Sequence, residues 1–249
     1  MPIQLPKDRE KPKDTAPKSL FLYGSPKIGK TTILAGLPDN LIMDLEGGTS
    51  FVEALKVEVN SLAELGELGR KIIEAGCPYT FTTTDTTTEL EIWCHNAALL
   101  KYKKSPQGKN STVTTLGELD YGLGYGLWRQ EFRDWIVRLR KLSKYSIFIG
   151  HVKDKIITKN QSEVAVKDIN LTGQIKAIAA SSVDAVGYIF IDPKYPRQRK
   201  ISFLTSDEIV CGNRVPHLEG REFVISEKLE DNSVITYWEN IYPSINKKQ

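Results

Sequence analysis

The segment LFLYGSPKIGKTT, residues 20–32, constrains this chain more than any other. Apolar and aromatic residues run into Gly24, and GSPKIGKT over 24–31 fits G-x-x-x-x-G-K-[ST] in full. The pattern demands a strand, a tight loop and a helix, in that order. Gly24 and Gly29 let the backbone wrap closely with its N–H groups turned inward, and Ser25, Pro26, Lys27 and Ile28 make the turn between them. The helix that starts near Lys30 adds the positive end of its dipole. Such a cradle holds a phosphate chain. Lys30 is expected to reach the β- and γ-phosphates, Thr31 to ligate Mg²⁺ through its hydroxyl, and Thr32 to make a further phosphate contact. ATP and Mg²⁺ are therefore the expected ligands.

The rest of the chain alternates strand and helix. Residues 41–46 (LIMDLE), 79–85 (YTFTTTD) and 145–151 (YSIFIGH) read as further strands. Helical periodicity marks 61–76, with Gly76 suited to a C-terminal cap, 125–142 is amphipathic, and 88–103 also reads as helical. A long polar connection fills 104–125, and 152–171 alternates as a hairpin would. A helix over 173–182 and strands over 184–192 and 199–205 follow. Strands separated by helices predict an α/β fold with a mostly parallel sheet, extended by antiparallel strands on its C-terminal side. The organisation expected is a flexible arm over 1–18, a core over 19–225 and a C-terminal appendage over 226–249.

Composition excludes several classes. The hydrophobic fraction of 40% is that of a globular domain, and a net charge of +3 neither requires nor forbids nucleic acid. Cys77, Cys94 and Cys211 form no C-x-x-C pair and read as reduced thiols. No secretory apolar run opens the chain and no stretch is long enough to span a bilayer, so a cytoplasmic protein with no membrane partner is expected.

A metal held at the cradle needs a second carboxylate at a strand end, and Asp44 and Asp85 are the candidates. Asp44 closely follows the short helix, whereas Asp85 comes after a further helix. Glu46, two residues beyond Asp44, is expected on the same side of its strand, where it could polarise an attacking water.

The combination GSPKIGKTT, LIMDLEGG, TTTDTTTEL and IFIGHVKDK resembles the phage-encoded RecA-like P-loop NTPases, minimal RecA/Rad51-core proteins that include single-strand annealing proteins. The resemblance covers about residues 18–220. It implies a metal-binding strand that is the later one and lies beside the phosphate-loop strand, which selects Asp85. It implies that Glu46 is the catalytic glutamate and that His151, ending the fourth strand, senses the γ-phosphate. CGNRVPH over 211–217 is similar to a segment whose basic residues reach a neighbouring subunit's nucleotide, which points to Arg214, with Arg199, Arg197 and Lys200 as rivals.

The resemblance further implies DNA-facing loops. Lys153, Lys155 and Lys159 in one connection would follow phosphates, and Tyr121 and Tyr125 in the other could stack on bases. The function so implied is an ATP-hydrolysing protein of phage recombination. It would bind single-stranded DNA as a homo-oligomeric ring or filament, promote annealing or strand pairing, and act with a single-stranded-DNA-binding protein. A nucleotide-dependent DNA-binding module without catalysis, a helicase motor and a small-molecule kinase are the alternatives.

Overall fold

The structure is a computed structural model that describes residues 14–159, 162–206 and 208–245, together with Leu5, Asp8, Arg9, Lys11 and Pro12. The arm expected over 1–18 lies in part outside the described residues.

The elements, in chain order, are β1 (Ser19–Gly24), α1 (Lys30–Ala35), β2 (Asn40–Asp44), β3 (Lys56–Glu58), α2 (Leu62–Glu74), β4 (Phe81–Asp85), α3 (Thr87–Lys104) and α4 (Leu123–Leu139). Then come β5 (Tyr145–Lys159), β6 (Ser162–Ile169), α5 (Gly173–Ser181), β7 (Ala185–Ile191), β8 (Gln198–Ser202), β9 (Gly212–Asn213), β10 (Glu222–Lys228) and β11 (Val234–Thr236). One sheet runs β11-β10-β8-β7-β1-β5-β4-β2-β3, with β6 paired to β5 and β9 to β7. The stretch from β7 through β1, β5, β4 and β2 to β3 is parallel, while β8, β10 and β11 join antiparallel. This is the α/β RecA-like architecture with antiparallel C-terminal strands.

Alternation along β1 divides the core in two. Phe21 and Tyr23 enter the cluster under α2, α3, α4 and α5, whereas Leu20 and Leu22 enter the cluster on the other face. Among the described residues, α1, six residues long, is the α-helix that covers that second face. The C-terminal segment completes it: Trp238, Ile241 and Tyr242 are buried in the same cluster. The boundary expected at 225/226 thus falls inside β10, and the appendage expected beyond it packs as core. Its apolar residues are too sparse to show a helix or strand period, yet the uncovered face gives them somewhere to go.

Two expectations about strands are corrected. Asp85 ends β4, but β4 does not lie beside β1, because β5 pairs with both and separates them. His151 does not end its strand, because β5 runs on to Lys159 and pairs with β6 from Val152 onward. The threonine-rich β4 is dry: Thr82, Thr83 and Thr84 are buried, with the Thr83 hydroxyl donated to Asn40 Oδ1 at 2.9 Å. The connection over 104–125 is also more ordered than its polarity suggests, since Leu116 and Leu119 pack on Ala98 in a small satellite core.

Candidate nucleotide site

The phosphate loop is built by geometry that only its own residues permit. A Cβ on Gly24 would meet the Ile189 carbonyl oxygen at 2.7 Å, so only glycine lets β1 lie this close to β7. Gly29 has φ 97° and sits as the N-cap of α1. Ile28 is buried and anchors the loop to the second core, while Pro26 and Lys27 are exposed at its tip. Lys30 is buried, and its Nζ donates to the Gly24 and Ser25 carbonyls at 3.2 and 3.0 Å. Burial pushes the Lys30 ammonium below its ordinary range, with Asp85 and Glu46 opposing that shift.

α1 is too short to be stable alone. Its C-terminal carbonyls are capped from far along the chain. The Trp238 indole donates to Ile33 O at 2.9 Å, Thr236 Oγ1 to Gly36 O at 3.1 Å, and Asn40 Nδ2 to Leu34 O at 3.0 Å.

Strand ends bring the acids to this loop. Thr31 Oγ1 donates to Asp85 Oδ2 at 2.8 Å. Burial pushes the Asp85 carboxyl upward, the Thr31 hydrogen bond pulls it down, and the charge of Glu46 pushes it up again. Glu46 accepts hydrogen bonds from the Thr86 hydroxyl and lies 3.2 Å from His151 Nε2. The His151 hydrogen bond holds Glu46 below the ordinary carboxylate range, against burial and with help from Thr86. His151 pairs in register with Gly24, so the sheet itself delivers it to the loop.

Asp44 and Glu46 do not act as a same-side pair. β2 stops at Asp44, and Glu46 lies in the bend that follows. Asp44 Oδ1 accepts the Glu46, Gly47 and Gly48 amides, and Oδ2 accepts the Thr49 amide and hydroxyl. Burial pushes the Asp44 carboxyl up, and these hydrogen bonds outweigh it and hold the group low. Asp44 thus shapes the bend that presents Glu46, and Asp85 stands at Thr31. Among the described residues no cluster of three or more His, Cys, Asp or Glu forms an all-protein metal site. The oxygens of Thr31 and Asp85 are hard donors that fit Mg²⁺, which keeps most of its positions for water and phosphate.

The resulting cavity holds about 400 Å³ and is lined by the loop at Pro26, Lys27 and Gly29 to Thr32, together with Asp44, Glu46, Asp85, Thr86 and His151. Thr86 was not expected. A polar residue directly after a strand-end acid is the signal that could have found it.

The basic residues distribute otherwise than expected. Arg199 reaches its own phosphate loop, with Nε donating to Ile28 O at 3.3 Å and Nη1 to Arg197 O at 3.1 Å. Arg199 thus contacts the phosphate loop of its own chain. Lys200 pairs with buried Asp192 at 2.5 Å, and Arg197 lies 3.8 Å from Glu230. Arg214 is exposed beside the start of β7, where its amide donates to Asp184 O. Lys153 Nζ donates to Leu171 O at 2.8 Å, and Lys155 is exposed on the hairpin. Lys159 is the last residue of β5, and its side chain lies outside the described residues. Tyr121 is fully exposed with φ 53°, and Tyr125 is half-exposed and stacked on Trp128 at 6.5 Å.

A family model described as AAA_24, AAA domain, matches residues 16–215. No curated protein matches the chain. Among solved structures, the RadB recombinase aligns at 14% identity over 90% of this chain and 92% of its own, with a TM-score of 0.45. A KaiC-like protein from the hyperthermophilic archaeon Pyrococcus horikoshii OT3 aligns at 12% identity over 88% of this chain and 89% of its own, with a TM-score of 0.43. No helix among the described residues is long and apolar enough to cross a membrane.

Proposed function

This chain belongs to the AAA_24 family of AAA domains, and from that premise we propose that it is an ATP hydrolase that passes its nucleotide state to a surface for single-stranded DNA. The observation that carries the hydrolytic reading is Glu46. It is an ionised carboxylate presented to the phosphate cavity, kept acidic by His151 and Thr86, beside the Thr31–Asp85 pair.

The roles follow from chemistry. Lys30 leaves the neutral Gly24 and Ser25 carbonyls to meet the terminal phosphates of ATP, whose negative charge makes the stronger, charge-assisted hydrogen bond. Thr31 and Asp85 would hold Mg²⁺, which supplies charge neutralisation at the phosphate oxygens. Glu46 accepts the proton of the attacking water, and its depressed basicity keeps it deprotonated at neutral pH. The loop amides and Lys30 take up the charge that develops on the transferred phosphoryl group.

His151 joins this chemistry to the hairpin. Its backbone belongs to β5 where that strand leaves the parallel sheet for β6, and its ring touches Glu46. A change at Glu46 therefore pulls on the base of an exposed hairpin that carries Lys155. The aromatic pair Tyr121 and Tyr125 supplies stacking faces on the second DNA-facing connection of the proposal. In an oligomer, ring or filament, Arg214 keeps the in-trans assignment. DNA annealing or strand pairing is the activity this arrangement serves.

The deciding experiment is ATP turnover by Lys30→Ala, which is expected to fall by about a hundredfold or more. Unchanged turnover would overturn the site. Turnover is also expected to rise with a single-stranded oligonucleotide, and Lys155→Ala is expected to weaken oligonucleotide binding and lower its salt dependence. Oligonucleotide binding that ignores both salt and nucleotide would remove the DNA half of the reading.

A further inference from the structure

The connection from β2 to β3 holds a phenylalanine out to solvent. Phe51 is fully exposed, yet the turn that carries it is fixed on both sides. Asp44 accepts the Thr49 amide and hydroxyl, and Val52 N donates to Thr49 O at 3.0 Å. From the other side Lys56 Nζ donates to Thr49 O at 2.6 Å and to Val52 O at 2.8 Å. A large apolar side chain on an ordered turn loses little freedom when it docks. Glu53 and Leu55 are exposed beside it, so the segment is apolar and carries an acidic charge.

A groove of about 480 Å³ lies between α2 and α4. Trp135, Leu139 and Leu142 make an apolar floor, and Ile73 stands at its side, 56% exposed. Gly66 and Gly69 face the floor from α2, two turns and one turn before Ile73. A Cβ on Gly66 would stand 3.5 Å from Trp135, and one on Gly69 3.5 Å from Leu142. Both are ordinary contacts, so packing does not require glycine at either position. Glycines inside a helix cost stability, and what they leave here is depth. The rim is basic. The Arg138 guanidinium lies 5.2 Å from the centroid of the Trp135 ring, Lys141 is exposed, and the one acid, Glu74, pairs with Arg70. An apolar floor under a basic rim fits an apolar segment with an acidic charge.

The two features lie at opposite ends of the sheet. Val52, next to Phe51, lines the phosphate cavity beyond the carboxyl end of β2. Glu74 and Leu142 precede the amino ends of β4 and β5, which run parallel to β2. A contact between two different patches of the same chain is heterologous, and it repeats from copy to copy.

We propose that Phe51 of one copy seats in the α2–α4 groove of a second copy, with Glu53 against the Arg138 and Lys141 rim. This deepens the oligomer of the reading above, on which it rests. It sets a neighbouring copy against the bend that presents Glu46.

The test is sedimentation velocity of the full chain over a concentration series, without nucleotide. The wild-type protein is expected to associate as its concentration rises. Phe51→Ala and Ile73→Glu, both at exposed positions, are each expected to weaken association by about tenfold or more. An equimolar mixture of the two variants is expected to form dimers and stop there, because it retains one intact Phe51 and one intact groove per pair. That rescue also shows that both variants are folded. A mixture that stays monomeric overturns the proposal. An oligomer that both variants leave unchanged overturns this interface alone. Wild-type protein that stays monomeric throughout overturns the oligomer of the reading together with the interface, and leaves the groove to an acidic segment of another protein.

Discussion

Strand β5 is two structures in one chain segment. From Tyr145 to His151 it lies between β1 and β4, parallel to both, and Ile147, Phe148 and Ile149 are wholly buried. From Val152 to Lys159 its described partner is β6, antiparallel, and Ile156 is 67% exposed. The first half is fixed by packing on both faces. The second is held by ladder hydrogen bonds and little apolar burial, so it belongs to the low-stability end of the molecule. The two halves meet at the residue that touches Glu46. A contact to the base of the proposed mechanism, placed at the boundary between a rigid and a yielding region, can move the yielding side without unsettling the core.

The sharpest break of this contrast is Glu46→Gln, which keeps the shape and removes the charge at the boundary. Turnover is expected to drop by about 10²–10³-fold, with ADP affinity held. Hydrogen exchange in residues 152–158 is expected to stop responding to nucleotide, and a retained response would place the coupling elsewhere. Next in size is Ile149→Ala, in the buried half, with an expected loss of about 2–5 kcal/mol in denaturant unfolding.

Asp44→Asn comes third, since it leaves the amides of the Glu46 bend with a neutral acceptor. An expected loss of about 1.5–3 kcal/mol follows at neutral pH. Asp44 is held low in the fold, so its stabilisation is present above the ordinary carboxylate range and is lost as pH falls through its depressed value. Parent and variant should converge in acid, and a gap that widens there would contradict the assignment. Smallest is Ile156→Ala, in the hairpin half, expected within about 0.5 kcal/mol of the parent. A loss as large as that of Ile149→Ala would erase the contrast.

Local pattern carried much of this architecture. The phosphate loop announces itself because its chemistry is contiguous, and helices α2 and α4 are readable because each carries an apolar stripe at helical spacing. Asp85 was legible from its place after a further helix, even though the strand beside β1 is another. What stayed hidden depends on contacts between distant residues. Nothing near Arg199 says that it will reach Ile28, and nothing near Trp238 says that it will cap Ile33. Asp44 and Glu46 looked equivalent on a strand, because the sequence does not reveal that β2 ends between them. His151 looked like a strand terminus because a change of partner leaves no mark on a run of β-formers.

The indole that closes α1 lies 205 residues after the carbonyl it caps. During synthesis the phosphate loop is therefore made well before its clamp. Until that segment emerges, α1 has nearby partners such as Asn40 but not the cover of β10, β11 and Trp238. A contact this distant in sequence is slow to find and forms late. The short helix behind the phosphate loop is accordingly completed only when that distant segment folds back onto it.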